Sequence, residues 1–170
     1  LTINPSNATM KKVTWSWASE WDAEIAADVK NVLSQVEALK KSAEEFMKER
    51  AISLKDALIK NAQQINGFNV LGLKGNFGAD LVKNIAFLAK QECTNTVMVA
   101  ATESEGKPTL TLMYTDDLVA KGANAGKDIR EAAKLIMGGG GGQPGLATAG
   151  GKETAGLNEA YNKLIEIATK

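Results

Sequence analysis

The stretch NTVMVAATESEGKPTLTLMYT, residues 95–115, decides the fold. Its first part, NTVMVAAT (95–102), is a short apolar run bounded by polar residues, as in a buried strand. Glu103-Ser104-Glu105-Gly106-Lys107-Pro108 is a polar turn carrying both Gly and Pro. Then TLTLMYT (109–115) alternates, with Leu110, Leu112 and Tyr114 on one side. Two apolar runs joined by a short polar turn predict a β-hairpin.

Outward from the hairpin, FNVLGLK (68–74) reads as another short buried strand. Between them, ADLVKNIAFLAKQ (79–91) places Leu81, Val82, Ile85, Leu88 and Ala89 on one helical face. Beyond the hairpin, Asp116-Asp117 reads as an N-cap and turn former rather than a metal ligand pair. AGKDIREAAKLIM (125–137) is a helix, and 157–168 is a terminal amphipathic helix. Residues 66–170 therefore predict one compact α/β (α+β) domain, a mixed sheet of about three to five strands flanked by helices.

Upstream, residues 19–65 form a helical segment. Ile25, Val29, Val32, Val36, Leu39, Ala43 and Phe46 recur at alternating spacings of 4 and 3, a heptad seam. Glu37, Lys40, Lys41, Glu44, Glu45, Lys48, Glu49 and Arg50 occupy outer positions. Three heptads are short for a free-standing coiled coil. The seam needs a partner, either a next helix over 54–65 folding back (Leu54, Leu58 and Ile65 forming its apolar edge) or a second chain. Asn66-Gly67 is read as the end of that second helix. Residues 1–18 are a tail. Within it Ser6-Asn7-Ala8 reads as a cloning remnant, and Val13, Trp15 and Trp17 alternate as in a short strand.

Composition removes several chemistries. The 170 residues contain no His, which excludes Ser-His-Asp triads and His-ligated metals within them. The single Cys, Cys93, forms neither an internal disulfide nor a thiolate cluster and fits a reducing cytosol. It reads as a small half-buried residue rather than a nucleophile. Twenty Lys+Arg balance twenty Asp+Glu, which argues against a broadly basic nucleic-acid binder. No window is long and apolar enough for a membrane helix, and Glu20, Asp22 and Glu24 interrupt any secretory core after Met10-Lys11-Lys12. The expected location is the cytoplasm, with no membrane partner.

Five glycines, Gly138–Gly142, precede Gln143-Pro144-Gly145-Leu146-Ala147-Thr148-Ala149-Gly150-Gly151-Lys152. The run is not a P-loop, since Leu146 and Glu153 stand where that motif requires Gly and Ser/Thr. Nor is it a dinucleotide fingerprint, because it follows a helix. It reads as a backbone-only surface: without Cβ atoms, a ligand can approach the main chain and accept its N–H hydrogen bonds. Lys127, Arg130 and Lys134, spaced i, i+3, i+7, either line one side of this loop with Lys152 on the other, or form a solvated helix face. On the loop reading, Gly140→Val removes ligand binding without unfolding the domain.

Residues 138–151 closely resemble the glycine-rich signature that ends bacterial alanyl-tRNA synthetases, a family reading roughly GGGGGGRPDxAxAGG before a Leu-containing final helix. Asn66-Gly67-Phe68-Asn69-Val70-Leu71 and the segment 109–118 are similar to other parts of that family's C-terminal domain, and the heptads to its preceding helical part. The resemblance covers about residues 54–170 well and 19–53 loosely. It implies a DHH-associated globular domain (66–170) and a coiled-coil-like dimerisation segment (19–65). It also implies a non-catalytic role: contact with the elbow of tRNA(Ala) and homodimerisation through Ile25, Val29, Val32, Val36, Leu39 and Phe46. The implied nucleic-acid-binding residues are Gly138, Gly139, Gly140, Gly141, Gly142, Gln143, Gly150, Gly151 and Lys152, with Lys127, Arg130 and Lys134. ATP-dependent attachment of alanine and zinc-dependent editing belong to other domains of the parent ligase; no cofactor or metal is expected here. Gln143 and Gly145 depart from the family's Arg or Lys and Asp, and bring no charge to a phosphate. A pure oligomerisation scaffold and a single-stranded nucleic-acid-binding domain of a DHH-type phosphoesterase are the competing readings. The missing His weakens the latter.

Overall fold

The computed structural model describes residues 16–104 and 106–170, with side chains from residue 23 onward. Helix α1 spans Ser16–Lys60, and strands β1 (Gln63–Ile65) and β2 (Phe68–Gly75) follow. Helix α2 (Ala79–Glu92) leads to β3 (Thr96–Ser104) and β4 (Lys107–Tyr114). Then come α3 (Asp116–Ala120), α4 (Ala125–Ala133), a 3-10 turn (Lys134–Ile136), β5 (Gly139–Gln143), β6 (Leu146–Gly150) and α5 (Leu157–Ala168). The chain divides into two compact units, one ending at Glu45 and the other running from Phe46 to Lys170.

The expected pair of helices is one helix. No Gly or Pro occurs between residues 16 and 66, so nothing in the sequence breaks the backbone hydrogen bonding at residue 54. Helix α1 stops at Lys60, where the Asn61 side-chain amide donates to the Ala57 carbonyl at 2.8 Å. Asn66 and Gly67, read above as a helix end, instead turn the β1–β2 hairpin, with φ of 50° and 87°. Positive φ at two successive turn residues is the geometry that matches the twist of a two-residue hairpin, and Asn-Gly is its strongest local signal. The short strand considered over 13–17 lies mostly outside the described residues; Ser16 and Trp17 are helical.

The sheet has six strands in the order β1-β2-β3-β4-β6-β5, one more than the upper expectation. β2 and β3 run parallel, joined across α2; every other pairing is antiparallel. The predicted 95–115 hairpin is present, with Val99 opposite Leu112 and Ala101 opposite Leu110. Both sheet faces are covered, so β3 is buried continuously from Thr96 to Thr102. Val97, Val99, Leu110, Leu112 and Tyr114 face α4 and α5. Met98, Ala100, Met113, Leu71 and Leu73 pack with α2 and with Met47, Leu54, Leu58 and Ile59 of α1. Each fully buried Leu or Met contributes roughly 1.5–3 kcal/mol relative to exposure.

Two polar junctions fix these layers. Lys55, only 5% exposed, reaches Asp56 at 3.0 Å and Glu92 at the end of α2. The carboxylates of Glu92 and then Asp56 push its pKa up, which keeps the buried ammonium charged. At the other junction Asn95 sits at φ 50° before β3. Its backbone N–H donates to both carboxylate oxygens of Asp117, at 3.0 and 3.2 Å, and its side-chain amide donates to the Gly67 carbonyl at 2.6 Å. One residue thus ties the β1–β2 turn to the first turn of α3.

The Thr115 hydroxyl, followed by the Asn95 N–H, holds the Asp117 carboxyl below its ordinary pKa. A depressed folded-state pKa stabilises the fold above the unfolded value, about 4, and that contribution fades as pH falls through the folded value. Asp117→Ala therefore lowers stability by on the order of 1 kcal/mol at pH 7. The gap to wild type narrows below about pH 4. Urea melts of both proteins at pH 7 and pH 3 measure this; a gap that is unchanged at pH 3 contradicts it.

Candidate nucleic-acid interface

The glycine run is not an open loop. Gly139–Gln143 form β5, the edge strand beside β6, with Gly140 opposite Ala149 and Gly142 opposite Ala147. Gly138 immediately precedes the strand and donates its N–H to the Ala133 carbonyl at 3.0 Å.

Alternate glycines have different causes. A Cβ on Gly138 would lie 2.1 Å from the Gly150 carbonyl oxygen, and one on Gly140 would lie 2.4 Å from the Ala149 Cα. At Gly142 it would lie 2.4 Å from the Leu146 carbonyl oxygen. These three glycines are required by the close approach of two strands, an intramolecular reason that the open-loop reading omitted. A Cβ on Gly139 meets nothing within 4 Å. At Gly141 it would meet only the Arg130 guanidinium, at 3.7 Å. Gly139 therefore faces space that another molecule can enter, while Gly141, the one half-buried residue of β5, lies under Arg130. The strand is exposed along most of its length, and as a sheet edge it presents backbone N–H and C=O groups without a strand partner. The expectation that Gly140→Val spares the fold is corrected: that side chain collides with β6, whereas Gly139 has room.

Asn124 caps α4 by accepting the Lys127 N–H at 3.1 Å, and Ala125 donates its N–H to the Pro144 carbonyl at 2.8 Å. These bonds anchor the helix start to the β5–β6 turn. Ile129, Ala132 and Ala133 bury the inner face of α4, which leaves Lys127 and Arg130 exposed. The predicted helix through Met137 ends at Ala133, and Lys134 lies in the 3-10 turn, also exposed. Gly150 ends β6, and Gly151 donates its N–H to the Pro108 carbonyl. Lys152 donates its N–H to the Ile136 carbonyl at 3.0 Å, so its exposed side chain starts beside the 3-10 turn. Gln143 is exposed at the end of β5. The structure brings Arg130 over the glycine strand and ties the Lys152 backbone to Ile136, whereas Lys134 lines a groove against α5 with Glu131, Glu159 and Glu166. Among the described residues none of Lys127, Arg130, Lys134 and Lys152 joins an ion pair. Their charge is available to a ligand.

Sequence reasoning missed Met137, the residue between the turn and the glycines. It has a left-handed backbone, φ 48°, and is 67% exposed. Its only sequence signal is an apolar residue directly before the glycines.

The seam residues Ile25, Val29, Val32, Val36, Leu39 and Phe46 lie along α1 and are between 39% (Val36) and 70% (Leu39) exposed. Residues 54–60, read above as a second helix, continue α1 itself. Cys93 is half-buried at the end of α2; burial and the neighbouring Glu92 charge raise its thiol pKa, the opposite of an activated nucleophile. No helix among the described residues is long and apolar enough to cross a membrane.

A model of the DHHA1 domain matches residues 52–170. An alanine–tRNA ligase of Bacteroides thetaiotaomicron is 49% identical over 141 residues, covering 82% of this chain and 16% of the ligase. That of Bacteroides fragilis is 47% identical over 146 residues, 85% of this chain and 17% of the ligase. The chain thus spans about a sixth of the length of these relatives. Among solved structures, the C-Ala domain of Aquifex aeolicus alanyl-tRNA synthetase superposes with a TM-score of 0.57 at 25% identity, over 64% of this chain and 98% of that one. The match over residues 52–170 covers the sheet, the glycine strand and every helix from α2 onward: the chain belongs to the DHHA1 domain family.

Proposed function

We propose that this chain is the C-terminal, tRNA-binding and dimerisation part of an alanine–tRNA ligase, whose other domains attach alanine to tRNA(Ala) with ATP. The observation that carries the binding role is the exposed glycine edge strand with the Arg130 guanidinium lying over Gly141. Backbone N–H groups on such an edge suit phosphate and ribose oxygens, and Gly139 allows the close approach that a side chain forbids. The tRNA elbow is a folded shape rather than an extended strand, which suits a fixed backbone surface with few charges. Four exposed cations, Lys127, Arg130, Lys134 and Lys152, lie on the segments adjoining this strand. One phosphate contact each limits the log–log salt slope to roughly −3.

The uncovered α1 seam supports homodimerisation, in which each helix supplies the partner that the other lacks. The same observation favours a second reading, a pure oligomerisation scaffold that binds no RNA.

Titration at one fixed salt concentration with full tRNA(Ala) and with its acceptor-stem minihelix separates the two readings. Elbow contact means binding to the full tRNA only; binding to neither moves the function to the scaffold. Gly139→Val is expected to retain the fold and lower tRNA affinity by about tenfold, roughly 1.4 kcal/mol. Gly140→Val is expected to lower the melting temperature as well, because it parts β5 from β6. Equal affinity of Gly139→Val and wild type removes the glycine edge from the interface.

For the seam, Val36→Asp places a charge in the middle heptad and is expected to shift sedimentation from dimer to monomer. An unchanged profile refutes dimerisation through α1.

A further inference from the structure

Met137 is the left-handed residue that ends the α4 helical run, with the following Gly138 N–H bonded back to the Ala133 carbonyl, a position where glycine is usual. Its backbone is left-handed, φ 48°, where a side chain is strained and glycine is not. Its N–H closes the 3-10 turn onto the Lys134 carbonyl at 3.2 Å, a bond that any non-proline residue makes. Its side chain joins neither hydrophobic core and is 67% exposed, the most of any large apolar side chain described from Phe46 onward. Neither backbone geometry nor packing calls for methionine here.

Position does. Met137 stands immediately before Gly138 and two residues before the glycine strand. Lys134 lies three residues back, and Lys152 is tied by its N–H to the neighbouring Ile136 carbonyl. An apolar, polarizable side chain is thus held out at the head of the glycine edge, next to the segment that carries the exposed Lys152. Methionine is unbranched and flexible, and its thioether makes favourable contact with aromatic rings. An RNA lying along β5 with a phosphate at Lys152 brings a base to this side chain.

We propose that Met137 is a stacking platform: its thioether packs against the exposed face of a nucleobase or terminal base pair of RNA bound along β5. This rests on the tRNA-binding reading above and adds the residue that takes the base.

Met137→Gly tests it without threatening the fold, since glycine relieves the left-handed strain. The full chain and its variants Met137→Gly and Met137→Leu are titrated with full tRNA(Ala), and their thermal melts are recorded in parallel. The proposal expects Met137→Gly to keep or raise the melting temperature while weakening tRNA binding by about five- to tenfold. Met137→Leu, which keeps an apolar side chain, retains most of the affinity. Wild-type binding that Met137→Gly leaves unchanged overturns the stacking role and leaves the tRNA-binding reading standing. Lost affinity with a lowered melting temperature also overturns it, because the residue is then structural. A wild-type chain that binds no tRNA overturns both.

Discussion

The approach of β5 to β6 without intervening side chains is the constraint on which the candidate site depends. Gly138, Gly140 and Gly142 each stand where a Cβ would run into β6 or the residue beyond it. Their absence of side chains lets the glycine strand lie against β6 and lets α4 settle over it, joined at the turn by the Ala125–Pro144 hydrogen bond. Arg130 reaches Gly141 only because that strand and that helix are in contact. A run that looks homogeneous in sequence is therefore two interleaved sets. One set builds the edge; of the other, Gly139 leaves its surface bare and Gly141 takes the Arg130 side chain.

Much of the remaining fold was legible because side-chain pattern and tertiary environment agree. The 95–115 hairpin alternates or runs apolar, and both of its faces are covered by helices. The helical stretches 79–91 and 157–168 carry their buried residues at the spacings that sequence periodicity marks. Where the reading failed, side chains carried no information or ambiguous information. Five glycines have no apolar alternation, so nothing in them spells strand; β5 exists because β6 and α4 shape it. The residues around 54–65 satisfy helical spacing through Ile65, yet Asn66-Gly67 demands a hairpin, and the local turn geometry takes the last three of them for β1. Absence of Gly and Pro, rather than hydrophobic spacing, was the correct signal for the uninterrupted α1.

The candidate site was legible in its residues but not in its form. Lys127, Arg130, Lys134 and the glycines belong to adjacent elements, as the spacing suggested. The division between structural and exposed glycines was beyond any sequence pattern, since it depends on which strand lies next to which. Met137 was hidden for a related reason: an apolar residue ending a helical run reads as core until the backbone is seen to turn left-handed there.

The charge balance fits this arrangement. Eleven Lys and Arg from residue 66 onward are matched by eleven Asp and Glu, so the domain lacks the field that gathers nucleic acid nonspecifically. A surface of that kind must gain its affinity from complementarity at short range. An edge of backbone donors, a guanidinium beside a glycine and an exposed thioether offer contacts that fall off within a few ångströms. In the proposed tRNA-binding role they would reward a rigid RNA shape that meets all of them at once, and give little to a flexible strand that meets one at a time. The uncovered seam of α1 has a related consequence. In the proposed dimer, two copies joined there would offer two such surfaces on one assembly, compensating for weak single contacts through effective concentration wherever one RNA can reach both.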